Sequence, residues 1–313
     1  MTIHLRPIDL PSLRNETAEV MLKLGPTLYE QAIRAGIQNA APRMPPSRAG
    51  AALASAEAGR LATAELFFVS GEMTALATAA GQTMPSFDLR PDDLPAPTGF
   101  IYFDAAMAHA IQAPRLDGQP APQKAPIVAA SWSHWSAPQV PWPAGGIWIT
   151  WYSDTAALVA GEPGHKQAAI RSTSGRLTVD NETQCPFLTE AITPDGDPRW
   201  STLFTLKATW LLMSQPLAAV KDAVYDRAAR RRLERVGQEP PKVRVVKLRR
   251  PAGSTGAGTG DRDYHHQWIV RGHWRQQWYP ARAVHRPVWI APHVKGPEGA
   301  PMLGGDKVYA WQR

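Results

Sequence analysis

The sequence runs to 313 residues, with 44% apolar and 19% charged positions, 30 prolines, 12 tryptophans and a formal net charge of +7. That length favours two domains, and the apolar share is enough for a packed core, which excludes a chain disordered throughout. The single cysteine, Cys185, excludes an internal disulfide framework and a Cys-rich zinc cluster, and the proline content excludes a coiled coil or long helical bundle.

Residues 1–7 hold no apolar stretch long enough for a signal peptide, so a cytoplasmic setting is expected. Over residues 9–39, Leu13, Val20, Leu22 and Leu24 form the stripe of a helix. Gly25-Pro26 is expected to break it, with a second helix from about Thr27 to Gly36. Residues 39–48 carry three prolines and read as a linker. In residues 49–81, Ala51, Leu53, Ala54, Ala58, Leu61, Ala62 and Leu66 recur at helical spacing. The run Leu66-Phe67-Phe68-Val69 also suits a short strand, with helix the favoured reading.

From about residue 86 the period shortens. Short apolar runs at 99–103, 125–132 and 146–152 lie between Pro-rich loops and read as strands, with 176–179 as a partner. Residues 202–237 return to a helical pattern, with Leu203, Leu206, Trp210, Leu211 and Leu212 before Pro216, which should kink or divide the helix, and an end at Gly237. Lys207, Gln215 and Pro216 mark 201–220 as a buried helix and not a membrane span. Residues 242–250 alternate partly, 251–263 form a Gly/Ser/Thr-rich loop, and 264–276, 288–291 and 307–312 read as strands. The expected architecture is α+β: a helical region over 1–85, a central antiparallel sheet over 86–200, a long helix over 201–237 and a small basic β module over 238–313, with an SH3-like barrel as one form of it.

Charge is unevenly placed. Residues 221–313 hold 19 Lys+Arg against 8 Asp+Glu, while the other 220 residues hold 15 against 19. A domain-sized basic block beside a mildly acidic one is the footprint of a nucleic-acid-binding part; the alternatives are a solubilising tail or a surface for an acidic protein partner. Within the block, Arg227, Arg231 and Arg235 align on one helix face, followed by Arg244, Lys247 and Arg249 as candidate phosphate contacts. Positive charge near a helix C-terminus also suits the dipole, which accounts for these residues without a ligand.

Five of nine histidines fall within 264–296. If 264–276 is one strand, His265, Arg271, His273 and Arg275 share a face, and Trp268 and Trp274 lie on the other, packed side. Arg271 and Arg275 suit phosphate oxygens, His273 with His265 or His285 suits proton transfer, and Trp274 or Trp278 suits base stacking. A purely structural role for the same residues is the competing account. No metal is expected, because the His pairs at spacing eight lack Cys or carboxylate support, and no cofactor is expected, because the Gly-rich 253–260 run lacks the Lys and helix of a phosphate loop. The pairs Asp92/Asp93 and Asp195/Asp197 read as turn residues.

The segment His-Gln-Trp-Ile-Val-Arg-Gly-His-Trp-Arg-Gln-Gln-Trp-Tyr-Pro, followed by His285 to His293 and Lys295-Gly296-Pro297-Glu298, resembles a group of proteins from actinobacterial genomes and their phages or mobile elements. Leu94 to Phe100 is similar to the same group more loosely. The resemblance implies origin and a cytoplasmic setting, and no mechanism. The expected function is nucleic-acid binding, of RNA or single strands, in a mobile-element, defence or regulatory role. Metal-independent cleavage by His273 with Arg271 and Arg275, or binding of an acidic protein, are the alternatives.

Overall fold

The computed structural model describes residues 5–38, 41–109, 126–136, 142–160, 163–188, 191–193, 200–235, 237–249 and 268–295. The chain divides into two units, Met1–Arg249 and Arg250–Arg313. The fold is α+β, as expected.

In the first unit, helices α1 (Leu10–Arg34) and α2 (Pro46–Thr63) precede strand β1 (Glu65–Val69) and helix α3 (Gly71–Gln82). Strands β2 (Thr98–Phe103), β3 (Ala108–His109), β4 (Pro126–Trp135) and β5 (Gly146–Asp154) follow, then α4 (Thr155–Leu158), α5 (Gly164–Ser174) and β6 (Leu177–Pro186). The unit ends with α6 (Trp200–Met213), β7 (Ala218–Asp222), α7 (Arg227–Arg235) and β8 (Val243–Leu248). One eight-stranded sheet runs β6-β5-β4-β2-β1-β8-β7, with β3 added to β4. The β2–β4–β5–β6 part is antiparallel, as expected for residues 86–200, and β1 is parallel to both β2 and β8.

Side-chain alternation divides the core between the two sheet faces. Leu66, Phe68, Phe100, Tyr102 and Val245 pack with Leu10, Leu13 and Leu61 under α1 and α2. Phe67 and Trp132 turn the other way, and Trp132 meets Trp210 of α6 edge-on at 5.2 Å. Helix α6 packs along α3 on that face. Lys207 of α6 is buried there in an ion pair with Asp93, its ammonium 5.2 Å from the Phe87 ring centre.

Four expectations are corrected. First, residues 66–69 are a strand and not the continuation of a helix. β1 lies between parallel neighbours and Leu66 to Val69 are all buried, so the run is apolar on both faces and carries no period that separates strand from helix. Second, α1 runs through Gly25-Pro26 unbroken. The N–H that Pro26 lacks would have met the carbonyl of Leu22, a residue 56% exposed, where water can satisfy it. Glycines also hold the helix against α2: a Cβ on Gly25 would lie 2.9 Å from that of Ala54, and one on Gly50 would lie 2.5 Å from the Pro26 carbonyl oxygen.

Third, 201–237 is not one long helix. It is α6, edge strand β7 antiparallel to β8, and then α7. Helix α6 stops before Gln215-Pro216, and Ala218, half of an apolar pair with Val220, starts the strand instead. Fourth, 243–248 belongs to the main sheet and not to the C-terminal module, because Val243, Val245 and Val246 complete the buried surface beside β1.

In the second unit, β9 (Trp268–Val270), β10 (His273–Tyr279), β11 (Val284–Ile290) and β12 (His293–Lys295) form two short antiparallel ladders, β9 with β12 and β10 with β11. Both ladders keep one register, interrupted where Arg271-Gly272 faces Ala291-Pro292. Pro292 has no N–H to give. Gly272 leaves room for the Trp289 indole, which a Cβ at 272 would meet at 2.4 Å. Trp274 and Trp289 cross at 5.3 Å between centroids, and Trp289 is buried. Among the described residues no barrel closes; the 251–263 loop, His265 and the 307–312 strand lie outside them.

Candidate nucleic-acid interface

The basic block is divided between the two units. Residues 221–249, inside the first unit, hold 10 Lys+Arg and 4 Asp+Glu, and residues 250–313 hold 9 and 4.

In the first unit the charge concentrates on α7. Asp226 caps the helix, its carboxylate accepting the Ala229 N–H at 2.8 Å, and Gly237 (φ +65°) ends it, with Gln238 donating to the Leu233 carbonyl at 3.0 Å. Between those caps stand Arg227, Arg230, Arg231, Arg232 and Arg235, all exposed, and the helix buries no residue. Among the described residues none of the five is ion-paired. Arg227, Arg231 and Arg235 repeat every fourth position as expected, and each such like-charge pair disfavours the helix by about 0.2–0.5 kcal/mol. Lys247 and Arg249 are exposed at the end of β8. Arg244 is different: its guanidinium holds Glu65 at 2.7 Å and lies 5.4 Å from the Phe67 ring centre, so it is engaged within the fold.

Beside α7 an open groove of about 370 Å³ is lined by Asp222, Ala223, Tyr225, Arg230, Pro240, Pro241 and Lys242. The Tyr225 hydroxyl donates to the Pro241 carbonyl at 2.8 Å and so fixes the two-proline wall.

In the second unit the hairpin register places His273 and Arg275 on one face and Trp274, Trp278 and His285 on the other. His273 and Arg275 are exposed, as the face assignment required. The His273 ring nitrogen Nδ1 lies 3.1 Å from the Arg271 carbonyl, and Arg275 donates to the Gln277 side chain at 2.5 Å. Arg271 is at the interruption of the ladder. Trp278 is 45% exposed, and its ring is tilted at 46° against that of His285 with centroids 4.8 Å apart. The register thus corrects the pairing of His273 with His285: odd positions of β10 share a face with even positions of β11, and His285 opposes Trp278. Among the described residues no cluster of His, Cys, Asp or Glu could hold a metal.

The densest polar constellation is elsewhere and has no simple sequence signature. Ser131, Thr150 and Glu182 are in register across β4, β5 and β6, facing α2. Glu57 of α2 descends onto this row, fully buried, and accepts from Ser131 Oγ at 2.6 Å, Thr150 Oγ1 at 3.1 Å and the Tyr152 hydroxyl. Arg60, one turn on, donates through Nε to Glu57 at 2.7 Å and lies over Trp148. Glu182 accepts from Tyr29 and Gln38, each at 2.5 Å. Burial, the Glu57 charge and loss of hydration push the Glu182 carboxyl above the usual range, desolvation being the largest cause, while Tyr29 and Tyr152 are pushed well above the ordinary phenol for the same reason. Most of its groups bond to one another, while Arg60 Nη2 and Trp148 Nε1 are buried without a hydrogen-bond partner among the described residues. The cluster fixes how α1 and α2 sit on the sheet. The one available signal was Glu57 and Arg60 at i, i+3 amid alanines.

No protein-family model matches the chain, and no similar protein is found among curated proteins or solved structures.

Proposed function

We propose that the protein binds nucleic acid, RNA or single strands, through the sugar-phosphate backbone, with α7 as the principal contact. The observation that carries this reading is a nine-residue helix with five exposed arginines, no buried face and no carboxylate partner among the described residues. A polyanion relieves the mutual repulsion of those arginines and releases its own counterions. Lys247 and Arg249 are further exposed cations of the same unit, and in the second unit, taken by itself, the exposed Trp278 offers a stacking plane.

The test is the salt dependence of binding to a single-stranded oligonucleotide by fluorescence anisotropy. Affinity should fall steeply with salt, and Arg231→Ala with Arg235→Ala should lower the slope of log K against log salt by about 1.4, two phosphates at about 0.7 each. The same variant should keep its thermal midpoint, because both side chains are exposed. Absence of binding at low salt, or an unchanged slope in the variant, sinks the reading and leaves an acidic protein as the partner of this surface.

A further inference from the structure

We propose that the groove beside α7 seats one ribonucleotide of a bound RNA strand, with Arg230 and Lys242 on the phosphate and the Asp222 carboxylate accepting the 2′-hydroxyl. The inference rests on the nucleic-acid reading above and names the substrate within it. The groove is open to solvent, with a volume of about 370 Å³. Arg230 and Lys242 are exposed cations lining it, and neither forms an ion pair among the described residues.

Asp222 makes the site selective. It sits at the end of β7 directly across from Arg244, yet that guanidinium is committed to Glu65 at 2.7 Å. Among the described residues Asp222 forms no salt bridge, and it lines the groove beside Arg230 and Lys242. A carboxylate beside phosphate-binding groups weakens the site for a bare anion or a deoxyribose strand. It complements a ligand carrying a hydroxyl donor next to its phosphate, which is the feature that separates RNA from DNA. The apolar wall is preset: Tyr225 is buried and its hydroxyl is held by the Pro241 carbonyl, so Pro240 and Pro241 offer ring surface to the sugar or base with little ordering left to lose.

The experiment uses the full chain and a single-stranded 12-mer as RNA and as DNA of the same sequence, titrated at low salt, with thermal melts confirming that each variant folds. The parent should bind RNA more tightly. Asp222→Ala and Asp222→Asn should each weaken RNA by about tenfold, the worth of one hydrogen bond to a charged acceptor, and should leave DNA no weaker. Arg230→Ala with Lys242→Ala should weaken both strands by tenfold or more. Equal parent affinities for the two strands, a gain of both when Asp222 is neutralised, or RNA binding within twofold of the parent in the Arg230/Lys242 variant each overturn the ribonucleotide site while the broader reading stands. No binding of either strand by the parent overturns both.

Discussion

Arg60 and Arg231 are both helical arginines, and their surroundings are opposite. Arg60 is 13% exposed, pressed on Trp148 and bound to Glu57; burial works against its charge, and Glu57 and Glu182 nonetheless hold it firmly cationic. Arg231 is exposed on a helix that buries nothing and has a like charge four residues away on each side. The first arginine has its counter-charge inside the protein and spends it on holding α2 to the sheet. For the second no counter-charge is found among the described residues, and the proposed function supplies one from a bound polyanion. Charged residues of one type therefore divide by whether the described fold supplies their partner, and that division separates architecture from the proposed interface.

The largest expected effect tests the architectural half. Glu57→Ala leaves Arg60, Ser131, Thr150 and Tyr152 without their common acceptor. Such a loss inside a buried network costs about 3–5 kcal/mol, to be read from urea unfolding. A cost near zero would show that Glu57 is not the hub of this cluster, and the contrast with α7 would fail.

A smaller effect addresses the hairpin. Gly272→Ala puts a Cβ where the Trp289 indole lies, 2.4 Å from its ring, and should disturb the hairpin by about 1–3 kcal/mol. Faster amide exchange over 268–295 and a changed near-ultraviolet tryptophan signal should report it, with the first unit's melting unaltered. Protection equal to the parent's would mean that the tryptophan pair does not depend on this glycine.

The smallest effect is a pH dependence. The folded Glu182 carboxyl keeps its proton above the range in which an unfolded glutamate loses it, chiefly through desolvation. Folding therefore takes up a proton in that window, and stability falls as pH rises through it. Glu182→Gln cannot ionise, so its stability relative to the parent should improve as pH climbs above the ordinary glutamate range and stay constant below it. Parallel stability curves for the two proteins across that window would remove the protonation argument.

Much of the framework was legible from local pattern. β2, β4 and β5 follow from short apolar runs between Pro-rich loops, the start of β6 from the partner run at 176–179, and the end of α7 at Gly237 from a residue that adopts positive φ without strain. The exposed face of His273 and Arg275 follows from strand alternation. What failed did so where burial on both faces erases the period, as at Leu66 to Val69, or where the lost hydrogen bond of a local breaker falls on an exposed turn, as at Pro26 above Leu22. The candidate site was legible in part: the arginines of α7 were found, while the groove was not, since Asp222, Arg230 and Lys242 meet only when β7, α7 and β8 take their places.

The sequence by itself determined the α+β class, the charge asymmetry, the helical spacing of Arg227, Arg231 and Arg235, and the alternation that separates His273 from Trp274. These depend on the backbone periods of 3.6 and 2, which act between near neighbours. Only the tertiary structure decided that half of the basic block belongs to the main sheet's unit, that Arg244 is taken by Glu65, that His285 lies across from Trp278, and that Glu57 meets Glu182 through Thr150. Each of those outcomes depends on strand order and register. Order and register are set by which apolar surfaces bury together across many intervening residues, and no local window of sequence contains that information.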